Sequence, residues 1–147
     1  MPESQITVEA LTEPTADDAE AIARLVPHLS STPPPDLAGL QDLVSSGTAT
    51  VFVARLDDVI VGTLSLAMFA VPTGRRAWIE DVVVDPDHRG RGIASRLVGI
   101  ALKLAAESGC RTVDLTSRPS RIDANRLYEQ LGFTRRETNV YRISLES

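Results

Sequence analysis

One stretch constrains this chain more than any other. An apolar run, Val82-Val83-Val84, leads through a polar loop and the glycines Gly90 and Gly92 into a long amphipathic segment, Ile93 to Ser108. There Ile93, Leu97, Ile100, Ala101, Leu104 and Ala105 recur at helical spacing and predict a buried stripe. Gly109 is a natural helix stop, and Thr112 to Thr116 reads as a further strand. A strand, a crossover helix and a second strand imply two parallel neighbours in one sheet, because only a long connection can join a parallel pair.

The rest of the chain must extend that sheet. Ile6 to Leu11 alternates as a strand. Thr15 is placed to cap a helix with Asp17 and Asp18 in its positive first turn, and Ala19, Ile22, Ala23 and Val26 give it an apolar face ending near Pro27 to Leu29. Pro33-Pro34-Pro35 enforces an extended link, and Asp36 caps a short helix, Leu37 to Val44, closed by Gly47. Thr48 to Leu56 and Val59 to Phe69 flank Asp57-Asp58 as a tight hairpin, with Leu64, Leu66 and Met68 on one face and Thr63, Ser65 and Ala67 on the other. A turn at Pro72-Thr73-Gly74 leads to a strand from Ala77 to Val84. Asp123 to Leu131 reads as a helix ended by Gly132, and Val140 to Leu145 as a closing strand. The expected fold class is α/β (α+β): a mixed, mostly antiparallel central sheet with a parallel strand pair and flanking helices. Its 147 residues fit a single domain, 1–147.

Composition narrows the partners. An apolar fraction of 43% supports a real core, while a net charge of -5 argues against a nucleic-acid binder. Yet His88, Arg89, Arg91 and Arg96 cluster around the glycines, a basic knot suited to a small anion. The lone Cys110 permits no intrachain disulfide and reads as structural. Met1 to Thr12 has neither the basic start nor the apolar stretch of a secretory leader. The longest apolar run, Val59 to Pro72, falls short of the roughly 20 residues that span a bilayer. A cytoplasmic protein without a membrane partner is the expectation.

The turn itself carries chemistry. Free N–H groups at a helix start, at the positive end of its dipole, form a site for phosphate oxygens. Gly90 and Gly92 allow close backbone approach, Arg89 and Arg91 can add charge-assisted bonds, and Ala94 keeps the helix thin beside its neighbouring strand. A dinucleotide-binding turn is the first rival, since Gly90-x-Gly92-x-x-Ser95 approaches its fingerprint and Asp114 mimics the ribose-binding acid. Three features oppose it: serine replaces the third glycine, a long loop separates Val84 from Gly90, and an antiparallel meander precedes the turn. A P-loop is excluded because no Gly-Lys-Ser/Thr is present.

Arg89-x-x-Gly92-x-Ala94 resembles the acetyl-CoA signature of the GNAT (GCN5-related) N-acetyltransferases. Ala124-x-x-Leu127-Tyr128-x-x-Leu131-Gly132-Phe133 resembles that family's second signature, and the element order agrees from near Ile6 onward. The resemblance implies a splayed parallel pair in a GNAT-like acyl-CoA N-acyltransferase fold, with acetyl-CoA as cosubstrate and no metal. Val82, Val83 and Val84 would line the pantetheine arm, a backbone N–H there would polarise the thioester, and Arg89 to Ser95, including Ile93, would hold the pyrophosphate. Tyr128 would be the acid that protonates the departing thiolate; otherwise it is a core aromatic, like Phe133. Many members carry asparagine where this chain has Arg121, and Asn125 is the substitute one turn before Tyr128.

Glu80 and Asp81 interrupt the apolar strand from Trp78 to Val84. Adjacent strand residues face opposite ways, so one carboxylate can share the acceptor face. Glu80 is the candidate base for deprotonating the amine; the alternative is a strand-edge ion pair with an arginine. Trp78 reads as core, and Arg75, Arg76, Arg118 and Arg121 as solvated or salt-bridged. The resulting expectation is an N-acetyltransferase acting by direct attack in a ternary complex, on a small-molecule or peptide amine, with a possible homodimer. A non-catalytic acetyl-CoA-binding or sensing module is the alternative. The segments Ser30 to Asp36 and Arg135 to Asn139 are expected to shape the acceptor pocket.

Overall fold

The computed structural model describes residues 5–146. The reading of Met1 to Thr12 as free of a leader therefore rests partly outside the described residues. The chain forms two compact units, Met1–Thr116 and Ser117–Ser147.

The first unit is a five-stranded sheet in sequential order, formed by β1 (Ile6–Ala10), β2 (Ala49–Leu56), β3 (Val59–Val71), β4 (Gly74–Val84) and β5 (Thr112–Asp114). The first four strands are antiparallel and β4–β5 is parallel, so the mixed, mostly antiparallel sheet expected from the sequence is present. Asp57 and Asp58 both adopt positive φ, 50° and 68°, which closes the β2–β3 hairpin with the twist its strands need. β5 is shorter than expected, stopping at Asp114.

Helix α1 (Ala16–Leu25) begins with a capping box in which Thr15 and Asp18 satisfy one another's backbone N–H groups. Helix α2 (Leu37–Ser45) is capped by Asp36, whose Oδ1 accepts from the Gly39 N–H at 2.8 Å. Both helices pack on one face of the sheet, where Ala21, Ile22, Leu25 and Leu40 meet Val51, Val53, Ile60 and Val83. Asp18 does more than cap. It is 4% exposed and pairs with Arg55 of β2 through Nη1–Oδ1 and Nη2–Oδ2 at 2.8 and 3.2 Å. Arg55 Nε also binds Glu9 of β1 at 2.8 Å. The Arg55 guanidinium holds the Asp18 carboxyl below the usual carboxylate range.

Helix α3 (Ile93–Glu107) packs against β3 and β4. Its buried residues are Ile93, Leu97, Val98, Ala101 and Ala105, with Ile100 and Leu104 only half-buried. The helix approaches β3 closely at Gly62, where a Cβ would lie 3.2 Å from Ile93 and 3.3 Å from Leu97. Gly109, at φ 79°, ends the helix as expected.

In the second unit, α4 (Ile122–Gln130) ends on Gly132 at φ 102°, with the Phe133 N–H bonded to the Tyr128 carbonyl at 3.0 Å. The expected closing strand, Val140 to Leu145, does not form. Val140, Tyr141, Ile143 and Leu145 are 72 to 90% exposed and belong to no strand ladder. Alternation specifies a strand only where a neighbouring edge supplies hydrogen bonds and an apolar face, and this segment has neither among the described residues. No described helix is long and apolar enough to cross a membrane.

Candidate active site

The candidate residues of the first unit lie along β4, the loop after it and the first turn of α3. Pairing between β3 and β4 is regular from Val71↔Gly74 to Ser65↔Glu80 and resumes at Thr63↔Val83. Asp81 and Val82 thus oppose the single residue Leu64, a β-bulge, and Asp81 takes φ 54°. Aspartate tolerates this left-handed conformation better than most residues. The extra residue reverses the phase of the strand. Glu80 and Val83 consequently share the face occupied by Ser65 and Thr63, which simple alternation would not give.

On its other side β4 pairs with β5 only from Arg76↔Thr112 to Trp78↔Asp114. Beyond Trp78, the stretch Ile79 to Val84 has no strand on that side within this sheet. The parallel pair therefore opens at the carboxyl end of β4, beside Val82, Val83 and Val84. Backbone groups left there need partners from elsewhere, and an extended ligand with amides can supply them.

The loop after β4 is more ordered than the sequence indicates. Asp85 Oδ1 accepts from the Asp87 N–H at 2.9 Å and holds a 3-10 turn, Pro86–His88, with His88 Nδ1 3.7 Å from Asp85 Oδ2. Gly90 and Gly92 follow at φ 80° and 74°. Gly92 is the N-cap of α3 and offers no side chain to its first turn. The first bond into that cap runs from the Arg96 N–H to the Gly92 carbonyl at 3.1 Å. The N–H groups of Ile93, Ala94 and Ser95 thus have no acceptor within the helix. Arg89 and Arg91 are exposed and make no ion pair among the described residues. Arg96, by contrast, donates to the Ile6 carbonyl of β1, which removes it from the basic knot.

Glu80 is exposed, and its Oε1 accepts the Trp78 indole N–H at 2.6 Å. The expected alternative, an ion pair with an arginine, is not found among the described residues. Trp78 is half-buried rather than core, its nitrogen committed to Glu80. Arg75 and Arg76 lie near the β3–β4 turn, where Arg76 donates to Thr73 Oγ1 at 2.8 Å. Cys110 is a free, half-buried thiol.

The second unit carries Tyr128 and Asn125. Tyr128 is 7% exposed and meets Phe133 edge-on, with ring centroids 5.9 Å apart. Burial pushes its phenol above the ordinary value, while the charge of Arg121 pulls it back in part. The hydroxyl therefore stays protonated at neutral pH. Phe133 is half-buried, and the Asn125 amide donates to the Arg118 carbonyl at 3.0 Å, bracing the loop before α4.

Sequence reasoning missed two features. The bulge was signalled by the charged Glu80-Asp81 pair inside an apolar strand, and the Trp78–Glu80 bond by their spacing on one strand face.

A parallel pair that ends at Trp78, followed by a glycine-capped helix start, belongs to a mixed α/β fold. The model of the acetyltransferase (GNAT) family matches residues 16–133. The chain belongs to that family. It is 35% identical over 131 residues to the glucosamine 6-phosphate N-acetyltransferase of Trypanosoma brucei brucei, covering 84% of this chain and 87% of that one. Over 84 residues it is 44% identical to the N-alpha-acetyltransferase MAK3 of Arabidopsis thaliana, which is 57% of this chain but only 44% of that relative's length. The fold is also that of an aminoglycoside N-acetyltransferase solved in complex with CoA, with a TM-score of 0.80 at 20% identity, covering 98% of this chain and 97% of the other.

Proposed function

We propose that the chain is an acetyl-CoA-dependent N-acetyltransferase that transfers the acetyl group to a primary amine by direct attack in a ternary complex. The observation that carries this reading is the coincidence of an open β4 edge with a helix start whose first N–H groups have no acceptor within the helix and whose neighbouring arginines have no ion pair among the described residues. The CoA complex of the aminoglycoside enzyme with the same fold supports the same ligand. Because the family match runs across the boundary after Thr116, we read 1–147 as one acetyltransferase domain.

When bound, acetyl-CoA supplies the activated acetyl group. The N–H groups of Ile93, Ala94 and Ser95, with Arg89 and Arg91, suit its pyrophosphate, and Gly90 and Gly92 keep that approach free of side chains. The free edge at Val82, Val83 and Val84 suits the amide-bearing pantetheine arm. Glu80 accepts the proton that the acceptor ammonium must lose before attack. Tyr128, buried and protonated, is the donor to the departing thiolate. The acceptor class we favour is a small-molecule amine, with glucosamine 6-phosphate first among those to test, because the Trypanosoma brucei brucei relative is named for it.

The test is an amine panel followed by release of the free CoA thiol. At least one amine should raise thiol release above the amine-free rate. With that amine, Tyr128→Phe should lower turnover about 100-fold, in line with the usual contribution of a general acid, while acetyl-CoA affinity stays within about twofold. A panel without any response, or a Tyr128→Phe enzyme at full rate, contradicts the reading.

A further inference from the structure

We propose that Trp78 is the positioning residue of this site: its indole N–H holds one oxygen of Glu80 so that the other stays free to take the proton of the amine. The inference rests on the reading of Glu80 as the base and adds a partner that reading does not require.

Glu80 is exposed, and a free glutamate on a strand surface samples many rotamers. A base must instead stand within hydrogen-bond reach of its proton. Two residues earlier on the same strand, Trp78 points to the same face. It is the only tryptophan in the chain, and its cross-strand neighbour Ala67 is small enough to leave the ring room. Its Nε1 lies 2.6 Å from Glu80 Oε1, a close contact in the direction that a charged acceptor favours. Asp114, paired with Trp78 in the parallel register, offers a second carboxylate, yet the indole takes Glu80.

An indole nitrogen suits this task because it only donates. It can hold the carboxylate but cannot accept the proton that Glu80 gathers. The bulge begins at the next residue, Asp81 at φ 54°, and the indole is the group that holds the Glu80 side chain. The step is simple to balance: the ammonium N–H bond breaks, its electron pair remains on nitrogen, and the proton forms an O–H bond with Oε2, directly or through one water.

The bond can be examined without substrate. In the free protein the single tryptophan gives one indole N–H resonance, which should move upfield in Glu80→Gln as a charged acceptor becomes neutral. A resonance that does not move overturns the proposal. Kinetics, with whichever amine the panel identifies, supply the second arm. Trp78→Phe should lower kcat about 10-fold and leave KM for acetyl-CoA within about twofold, since misplacing a catalytic group costs turnover before binding. In a Glu80→Gln background the same change should have no further effect. An equal loss in both backgrounds would show packing alone and overturn positioning. Should Glu80→Gln turn over at the full rate, the base reading falls and this proposal with it. A deficient Glu80→Gln beside a fully active Trp78→Phe overturns only the role of Trp78. The resonance arm needs no Trp78 variant, so a folding defect in Trp78→Phe does not block the test.

Discussion

The carboxylate of Asp18 is 4% exposed and accepts from two guanidinium nitrogens of Arg55, whereas that of Glu80 is exposed and accepts the indole N–H of Trp78. Both stand beside strands of the same sheet. Around Asp18 every group is matched: Thr15 and Asp18 cap α1, Arg55 joins α1 to β2, and Glu9 ties in β1. Around Glu80 the sheet is incomplete, with a bulge at Asp81 and, among the described residues, no strand on the β5 side past Trp78. A saturated carboxylate can only hold structure together. One with an oxygen to spare, at an opening in the sheet, can do chemistry.

Variants can break this contrast in both directions. Asp18→Ala leaves the half-buried Arg55 without its main partner and should cost about 3–5 kcal/mol of stability, read by denaturant unfolding. A loss below about 1 kcal/mol would mean that the pair is merely ornamental. Activity per folded molecule should be unchanged. Its acid dependence has a definite sign: the folded-state pKa of Asp18 is lowered, so its stabilisation is present above the unfolded value of 3.8 and is lost as pH falls below it. Asp18→Asn should flatten the fall in stability on acidification through that range.

Glu80→Gln should show the reverse pattern. We expect turnover to fall about 100-fold with stability within about 0.5 kcal/mol of the wild type, as for an exposed residue whose bond from the Trp78 indole a glutamine oxygen can still accept. A large stability loss with full activity would place Glu80 in the same class as Asp18. Comparing the two variants by both assays therefore sharpens the distinction more than either alone.

How far the sequence could be read follows the same physical divide. Elements fixed by local chemistry were legible: the Thr15 and Asp36 caps, the Asp57-Asp58 hairpin, the α3 stripe and the glycine turn all depend on neighbours in sequence. Features that need a partner elsewhere were not. Ile6 to Leu11 and Val140 to Leu145 alternate alike, but only the first finds an edge, β2, to complete. The bulge at Asp81 depends on the register with β3, and the Glu80-Asp81 pair within β4 only hints at it. Arg96 looked like part of the anion site, and only the tertiary structure commits it to the Ile6 carbonyl. The resemblance to the family singled out Tyr128 and the turn as candidates, but it did not single out Trp78.

The central claim is that the turn after β4 binds acetyl-CoA, and thermal unfolding with and without that ligand tests it most directly. At a hundredfold excess over Kd, binding adds about 2.7 kcal/mol to stability, enough to raise Tm by several degrees in a chain of this size. The account predicts such a rise for the wild type and a much smaller one for Arg89→Glu combined with Arg91→Glu, two exposed positions without ion-pair partners among the described residues. No rise in the wild type, or an equal rise in both proteins, would contradict it.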